Sequence, residues 1–437
     1  MRSGSRVGLF ALLFAAPALA QLPPTATPGF RAEGVFDFAG GIDQVSLFNG
    51  ALTAQIPLGQ PIVVGGPGPL SYQLIASYSS NSWEAYPQFC GGEVCNPVIY
   101  PKPTSRAGLG WRISLGDLYR PAGSGANYSP RFQYVDPTGT EHVLYNDLHP
   151  SLTSPDLWAD DEKLGEDPEV ALAPVSYVRD GAYLRLSCTP TTFASCDLEF
   201  GNGDRHTFQN IGSPAAPNFR LKEIFDRYGN WIRIEYSSNY WTITDSGSAL
   251  RSTIVQFFSP GAGYPGQPEL VDFVETPCVN NSCAPGETHA KWNLNYQNRN
   301  IWHPGVFNNS ETAPVPTMLL KEILLPDGSS FSMPVAATGS VNAYGGPAGE
   351  LTKLVLPTLG HYEWSWNSWF YPEIHGYTGC LQQLPPDSNN WNSFSGVASR
   401  REYDIDNALL GETTYSRTVV DTNPTPPEYV TVRVESP

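Results

Sequence analysis

The chain has 437 residues, room for two or three domains with an ample core. Apolar residues make up 41% and charged residues 15%, which excludes an acidic disordered polymer. A formal net charge of −17 excludes general affinity for nucleic acid or for anionic membrane, both of which attract cations.

The chain opens MRSGSRVGLFALLFAAPALA. Arg2 and Arg6 give a positive start, 7–16 is an apolar run too short to span a bilayer, and Ala18-Leu19-Ala20 has the form that signal peptidase accepts. Residues 1–20 therefore read as a signal peptide cleaved near Ala20, and the mature chain is expected to be secreted, periplasmic or on the cell surface. Cleavage removes two arginines and no acid, moving the net charge from −17 to −19. No later run reaches the roughly 18 apolar residues of a membrane span, so no membrane insertion is expected.

Residues 21–41 read as a linker. Beyond it, Gly 41 and Pro 41 punctuate short β-rich runs. The expected fold is all-β, with consecutive antiparallel β-hairpins forming a long curved or spiralling sheet. It divides into an N-terminal β module at 42–120, a hairpin region at 121–260 and a continuing hairpin region at 261–437, open-ended at the C-terminus. The one stretch of helical composition, 158–172, is broken by Gly165 and Pro168, so at most a short helix is expected there.

Cysteines at 90, 95, 188, 196, 278, 283 and 380 come mostly in close pairs. In an oxidising compartment, Cys90 with Cys95, Cys188 with Cys196 and Cys278 with Cys283 read as local disulfides. The alternative is zinc, but the spacings are wrong for C-x-x-C knuckles and no histidine lies nearby in sequence. Cys380 is left over. Asp160, Asp161 and Glu162 sit in an acidic run whose oxygens suit calcium. No D-x-[DN]-x-[DN]-G loop accompanies them, so a solvated loop is the simpler reading. No cofactor is expected.

Hairpins are read at 177–184 around Asp180-Gly181 and at 198–208 around Asn202-Gly203. In IFDRYGNWIRIEY, 224–236, Ile232, Ile234 and Tyr236 alternate with Trp231, Arg233 and Glu235 after Gly229-Asn230. This is a turn feeding a strand, and Asp226 caps the turn rather than forming a reactive site. The pattern recurs at 320–331 with Pro326-Asp327-Gly328 and at 351–366 with Pro357 and Gly360. Such an internal repeat suits stacked hairpins better than one compact catalytic domain.

Residues 42–50 (IDQVSLFNG), followed by Leu52 and Ile56-Pro57-Leu58-Gly59, resemble the start of the Rhs/YD-repeat proteins. So do Leu70-Ser71-Tyr72 through Trp83, the "GLGW" element at Gly108-Leu109-Gly110-Trp111 and the D-x-x-GN turn at Asp226-Arg227-Tyr228-Gly229-Asn230. The likeness covers most of 40–437 in order. It implies a winding β-sheet that, in members with the full array, curls into a hollow shell. Relatives include polymorphic toxins and insecticidal toxin complexes, whose shells enclose a toxic domain, and teneurins, which serve adhesion. This sequence departs from the pattern in lacking the full Tyr-Asp repeat, of which Tyr403-Asp404 is a partial echo. It also lacks a recognisable self-cleaving segment, since Asp136-Pro137-Thr138-Gly139 lies early and reads as a turn. The chain looks like the opening part of a longer shell, with further repeats or a polypeptide cargo as partners.

No G-x-S-x-G elbow, H-E-x-x-H pair, P-loop or G-x-G-x-x-G opener is present, so no catalytic activity is expected. The densest aromatic run is HYEWSWNSWFYPEIHGY at 361–377. Tyr362, Trp364, Trp366 and Trp369 would stack on sugars, with Glu363 and Glu373 as hydrogen-bonding groups or a glycosidase pair. The same alternation describes a strand buried on one face. A secreted scaffold that encloses or presents another polypeptide is thus the leading expectation. A carbohydrate-binding protein or glycosidase is the first alternative, and an adhesion module working through exposed strand edges is the second.

Overall fold

The computed structural model describes residues 36–37, 42–47, 50–65, 70–90, 93–120, 132–145, 174–212, 218–278, 289–301, 314–334, 349–372, 391–419 and 430–435. Side chains at 36–37, 84–99, 248–250, 368–372, 391–395, 417–419, 430–433 and 435 lie outside that description. The helix expected within 158–172 and the leader at 1–20 fall outside it too. The described residues hold strands and turns and no helix. Strands Phe36–Asp37, Asp43–Ser46, Leu52–Val63, Ser71–Ser79 and Trp111–Ile113 form one antiparallel sheet in that order. Trp83–Cys90 and Glu93–Pro101 form a separate hairpin.

From Asp117–Tyr119 to Val430–Glu435, every strand pairs antiparallel with the next in sequence, giving one continuous ribbon. The first strand curls round to lie beside Phe219–Phe225. The last pairs only with its predecessor among the described residues, so the ribbon is not closed end to end. Its strands alternate as period two requires. In Trp231–Tyr236, Ile232 and Ile234 are buried while Arg233 faces out, 2.7 Å from Glu223 on the neighbouring strand. Each buried isoleucine contributes about 1.5–3 kcal/mol through apolar burial, whereas the exposed ion pair adds little.

One turn recurs along the ribbon. At 226–230 the Asp226 amide donates to the Asn230 carbonyl at 3.1 Å, and the Gly229 amide donates to the Asp226 carbonyl at 3.2 Å. The same pair of bonds is found at 136–140, 200–204, 325–329, 356–360 and 404–408. The fourth residue always has positive φ: Gly139, Gly203, Gly229, Gly328, Leu359 and Asn407. The Asn202-Gly203 hairpin is therefore not a two-residue turn, because only Gly203 takes the left-handed region. The Asp180-Gly181 hairpin is longer as well. Its closing bond runs from the Val178 amide to the Leu184 carbonyl, with positive φ at both Gly181 and Tyr183.

The ribbon's apolar inner face is covered by the chain's own N-terminal sheet. Val45, Leu52, Ile56, Leu58, Leu74 and Tyr78 share a single buried cluster with Phe132, Ile232, Trp292, Leu320, Leu354 and Trp364. The two layers are also bonded. The Tyr72 hydroxyl lies 3.3 Å from Thr253 Oγ1, the Leu351 amide donates to Tyr78 Oη at 2.8 Å, and Arg251 donates to the Val63 carbonyl at 2.7 Å. Main-chain bonds run from Leu109 to Met318, from Val271 to Arg106 and from Val397 to Gly50.

The tightest link is Asp43, whose side chain is 0% exposed. Arg400 grips it through Nε at 2.7 Å and Nη2 at 3.0 Å, and Trp364 Nε1 donates to it at 3.0 Å. A carboxylate removed from water is tolerated only with such partners. Asp43→Ala strands the Arg400 charge and is expected to cost about 3–5 kcal/mol, while Asp43→Leu with Arg400→Met should recover most of that loss. Urea unfolding of the single and double variants checks both values; additive losses would contradict the pairing.

Candidate functional site

The GLGW motif singled out in the sequence serves the joint between the two layers. Gly108 has φ +98, and a Cβ there would sit 2.6 Å from the Leu320 amide nitrogen. Gly110 has φ +73, and a Cβ would sit 2.6 Å from the Ser79 carbonyl. Between them Leu109 bonds Met318, and Trp111 packs on Tyr78 with ring centres 5.2 Å apart. Glycine is the residue that allows main chain this close to main chain. At 226–230 the Asp226 carboxylate accepts the amides of Tyr228 at 2.8 Å and Asn230 at 2.9 Å, so it is occupied in holding the turn. Arg227 lies over the Tyr228 ring on the exposed surface and donates to the Tyr228 hydroxyl at 2.8 Å.

The aromatic run divides. Tyr362 and Trp364 point inward and are buried, and the Trp364 indole is committed to Asp43. Trp366 is half-buried and donates to the Leu351 carbonyl at 3.1 Å. The Trp369 side chain and Glu373 lie outside the described residues. On the outer side, a groove of about 410 Å³ is lined by Lys353, Glu363, Ser365, Ser399 and Arg401, among others. Its charges are already paired: Lys353 with Glu363 at 2.9 Å, and Arg401 with Glu412 at 2.7 Å. Ser365 and Ser399 share a hydrogen bond of 2.6 Å. The Lys353 ammonium holds Glu363 below the usual carboxylate range, the opposite of what a glycosidase acid requires.

Cys188 and Cys196 face each other across adjacent strands and are bonded. Cys278 is disulfide-bonded, with its partner outside the described residues, where Cys283 also lies. The side chains of Cys90 and Cys95, and all of Cys380, Asp160, Asp161 and Glu162, lie outside them as well. Among the described residues no group of His, Cys, Asp and Glu is arranged to hold a metal.

Two histidines have opposite surroundings that the sequence did not reveal. His142 Nδ1 lies 2.5 Å from Asp180 and Nε2 lies 3.8 Å from Asp136, bringing together residues of two successive hairpins. Burial lowers its pKa, but the two carboxylates outweigh this and raise it to about 9. His206 is buried among Tyr134, Phe200 and Phe208, and burial lowers its pKa to about 3. His142 thus ties two hairpins together through its carboxylate partners, and the His206 ring packs within an aromatic cluster.

No family model matches the sequence, and no curated protein sequence is significantly similar to it. Among solved structures, the TcdB2-TccC3-TEV crystal structure is 12% identical, with 91% of this chain and 17% of that one covered and a TM-score of 0.28. The Tc holotoxin pore of Photorhabdus luminescens is 12% identical over 84% and 16%, with a TM-score of 0.27. The N-terminal domain of effector protein SpvB from Salmonella typhimurium strain LT2 is 12% identical over 87% and 98%, with a TM-score of 0.19. The chain thus spans about a sixth of the length of the first two.

The histidines predict a two-sided pH dependence. His142 is raised, so its stabilisation is complete below about pH 6.5 and is lost as pH rises through about 9. His206 is lowered, so its contribution is complete above about pH 6.5 and is lost as pH falls toward about 3. His142→Asn should flatten the alkaline limb and His206→Phe the acid limb of stability measured by chemical denaturation. The Cys188–Cys196 bridge closes a short loop, and Cys188→Ser with Cys196→Ser should cost about 2–3 kcal/mol in the same assay.

Proposed function

We propose that the chain is a secreted, Rhs-like structural scaffold, without catalytic activity of its own, that encloses or presents another polypeptide as the opening part of a longer shell. The observation that carries this reading is the ribbon's grip on an internal polypeptide layer. Strands from Asp117 to Glu435 wrap residues 43–113 through an apolar cluster, main-chain bonds and the Asp43–Arg400 pair. Where the resemblance implies a hollow interior, this stretch is filled by its own N-terminal sheet, as the closed end of a container would be. The elements quoted for the resemblance have matching mechanical roles: the GLGW element joins the two layers, and the D-x-x-GN turn corners the ribbon. The bonded Cys188–Cys196 pair suits an oxidising, extracytoplasmic setting. The inward commitment of Tyr362 and Trp364 removes two of the four rings on which a carbohydrate reading depends.

Protease protection tests the proposal. The secreted protein is purified in its native, non-reduced complex and digested with a broad-specificity protease. A second polypeptide should remain intact while the ribbon is folded, and should become digestible when Arg400→Ala loosens the wrap. Recovery of the bare chain with no protected polypeptide would overturn the scaffold reading. Sugar-specific binding abolished by Trp366→Ala would then put the carbohydrate reading in its place.

A further inference from the structure

We infer that the outer face beside turns 200–204 and 226–230 is a docking site for a partner polypeptide segment that carries two carboxylates in an extended run. The inference goes beyond the scaffold reading and concerns the outside of the ribbon. Arg205 lies over the Phe225 ring at 5.1 Å, and Arg227 over the Tyr228 ring at 4.8 Å. Both arginines are exposed, and neither has a carboxylate within ion-pair reach among the described residues. Arg185, Arg233 and Arg401 are exposed in the same way, yet each meets an acid at 2.7–2.8 Å. Glu199 stands opposite both Arg185 and Arg205 in the strand register, and its carboxylate goes to Arg185. A guanidinium laid flat on a ring keeps its planar edge of N–H donors free, the form that grips a carboxylate through two bonds.

The two arginines are neighbours. Arg205 pairs with Phe225 in the ladder, and a Cβ on Gly203 would lie 3.2 Å from Arg227 Cβ. Such diagonal positions lie about 7–8 Å apart. Alternate residues of an extended peptide are separated by about 7 Å, so a Glu-x-Glu run reaches both. On the adjoining turn Tyr183 has φ 55, is 82% exposed and lies against Gly201. A large ring is disfavoured there twice, by the left-handed backbone and by water, and strain of this kind marks sites that work on something else. Tyr228 is 48% exposed. Exposed tyrosine beside arginine is the composition of contact centres between proteins. The strands beneath, from Arg185–Cys188 to Trp231–Tyr236, each pair on both sides, so the surface owes nothing to an open edge.

Charge selects among occupants. Glu199 and Glu223 stand on the same outer face, Glu223 held by Arg233 at 2.7 Å. A nucleic acid or an acidic polysaccharide, charged at every repeat, would press against these acids as well. A polypeptide places two carboxylates and leaves the positions around them neutral. A second copy docked about a two-fold axis would set arginine against arginine.

The probe is a labelled, end-capped peptide with Glu-Leu-Glu between serines, and its counterpart carries Gln-Leu-Gln. Both are titrated by fluorescence anisotropy against the full mature chain. Saturable binding is expected for the glutamate peptide only. Arg205→Gln and Arg227→Gln should each weaken it on the order of tenfold with the melting temperature unchanged, since both side chains are exposed. Arg227→Lys keeps the charge without the planar fork and should recover only part of the loss. Lys291→Gln should change nothing, because that cation lies over Phe273 with Glu275 3.9 Å away. Equal affinity for the two peptides, or affinity unchanged in the arginine variants, would overturn the site. So would binding of polygalacturonate, or concentration-dependent dimers, lost in those same variants; the surface would then belong to an acidic glycan or to a second copy. The scaffold reading is judged separately, by protease protection.

Discussion

A long antiparallel ribbon with one apolar face is soluble only if something covers that face. Here the cover is part of the same chain, and the rest of the structure follows from it. The N-terminal sheet lies inside the ribbon in the manner of two packed sheets, side chains of both inner faces forming one cluster. Close packing sets the local rules. Glycine stands at 108 and 110 because main chain meets main chain there, and Gly59 leaves room for the Trp292 ring. The buried Asp43–Arg400–Trp364 group is the polar exception, and it fixes which part of the ribbon lies over the sheet's first strands. A shifted register would leave an ion without its partner, so this group contributes specificity as much as stability.

The two rims of the ribbon differ. Alternate connections of a meander fall on opposite edges, so the repeated turn at 136–140, 200–204, 226–230, 325–329, 356–360 and 404–408 lies on one rim. The strand ends at Phe258 and Leu270, Ile301 and Val315, Ser332 and Lys353, Pro372 and Trp391, and Val419 and Val430 face the other, and these five connections are long. Six connections of the first rim hold register by repeating a single geometry, while those at 179–184, 246–247 and 278–288 on the same rim differ from it. The opposite rim has freedom to vary in length without disturbing the strands.

Local structure was legible in the sequence and long-range structure was not. Alternation in 231–236 and the glycine-bearing corners at 226–230 and 325–329 announced hairpins, because period-two patterning and left-handed φ are properties of neighbouring residues. The turn at 356–360 was read through Gly360. The left-handed residue is instead Leu359, and Gly360 is needed for its approach to Tyr403. Nothing local distinguishes those two cases. The filling of the inner face escaped notice because it joins residues hundreds of positions apart. Asp43 was the available signal: an acid in phase with buried Val45 at the start of an apolar strand, out of place unless a cation waits opposite. Which cation that would be lies beyond what one sequence can say. The run at 361–377 shows the same limit, since its alternation fits a glycan platform and a core strand equally well until Trp364 is seen against Asp43.

The Asp43–Arg400 pair spans 357 positions, and this sets an order of events. A ribosome or a secretion channel delivers Asp43 early and Arg400 late, so the innermost layer is the first to emerge and the last to be surrounded. Until the strands of the ribbon arrive, Val45, Leu52 and Ile56 have no lasting shelter. High contact order of this kind slows folding and lengthens the exposure of sticky intermediates. A protein built this way gains from staying an unfolded thread until the strands bearing both partners have been delivered.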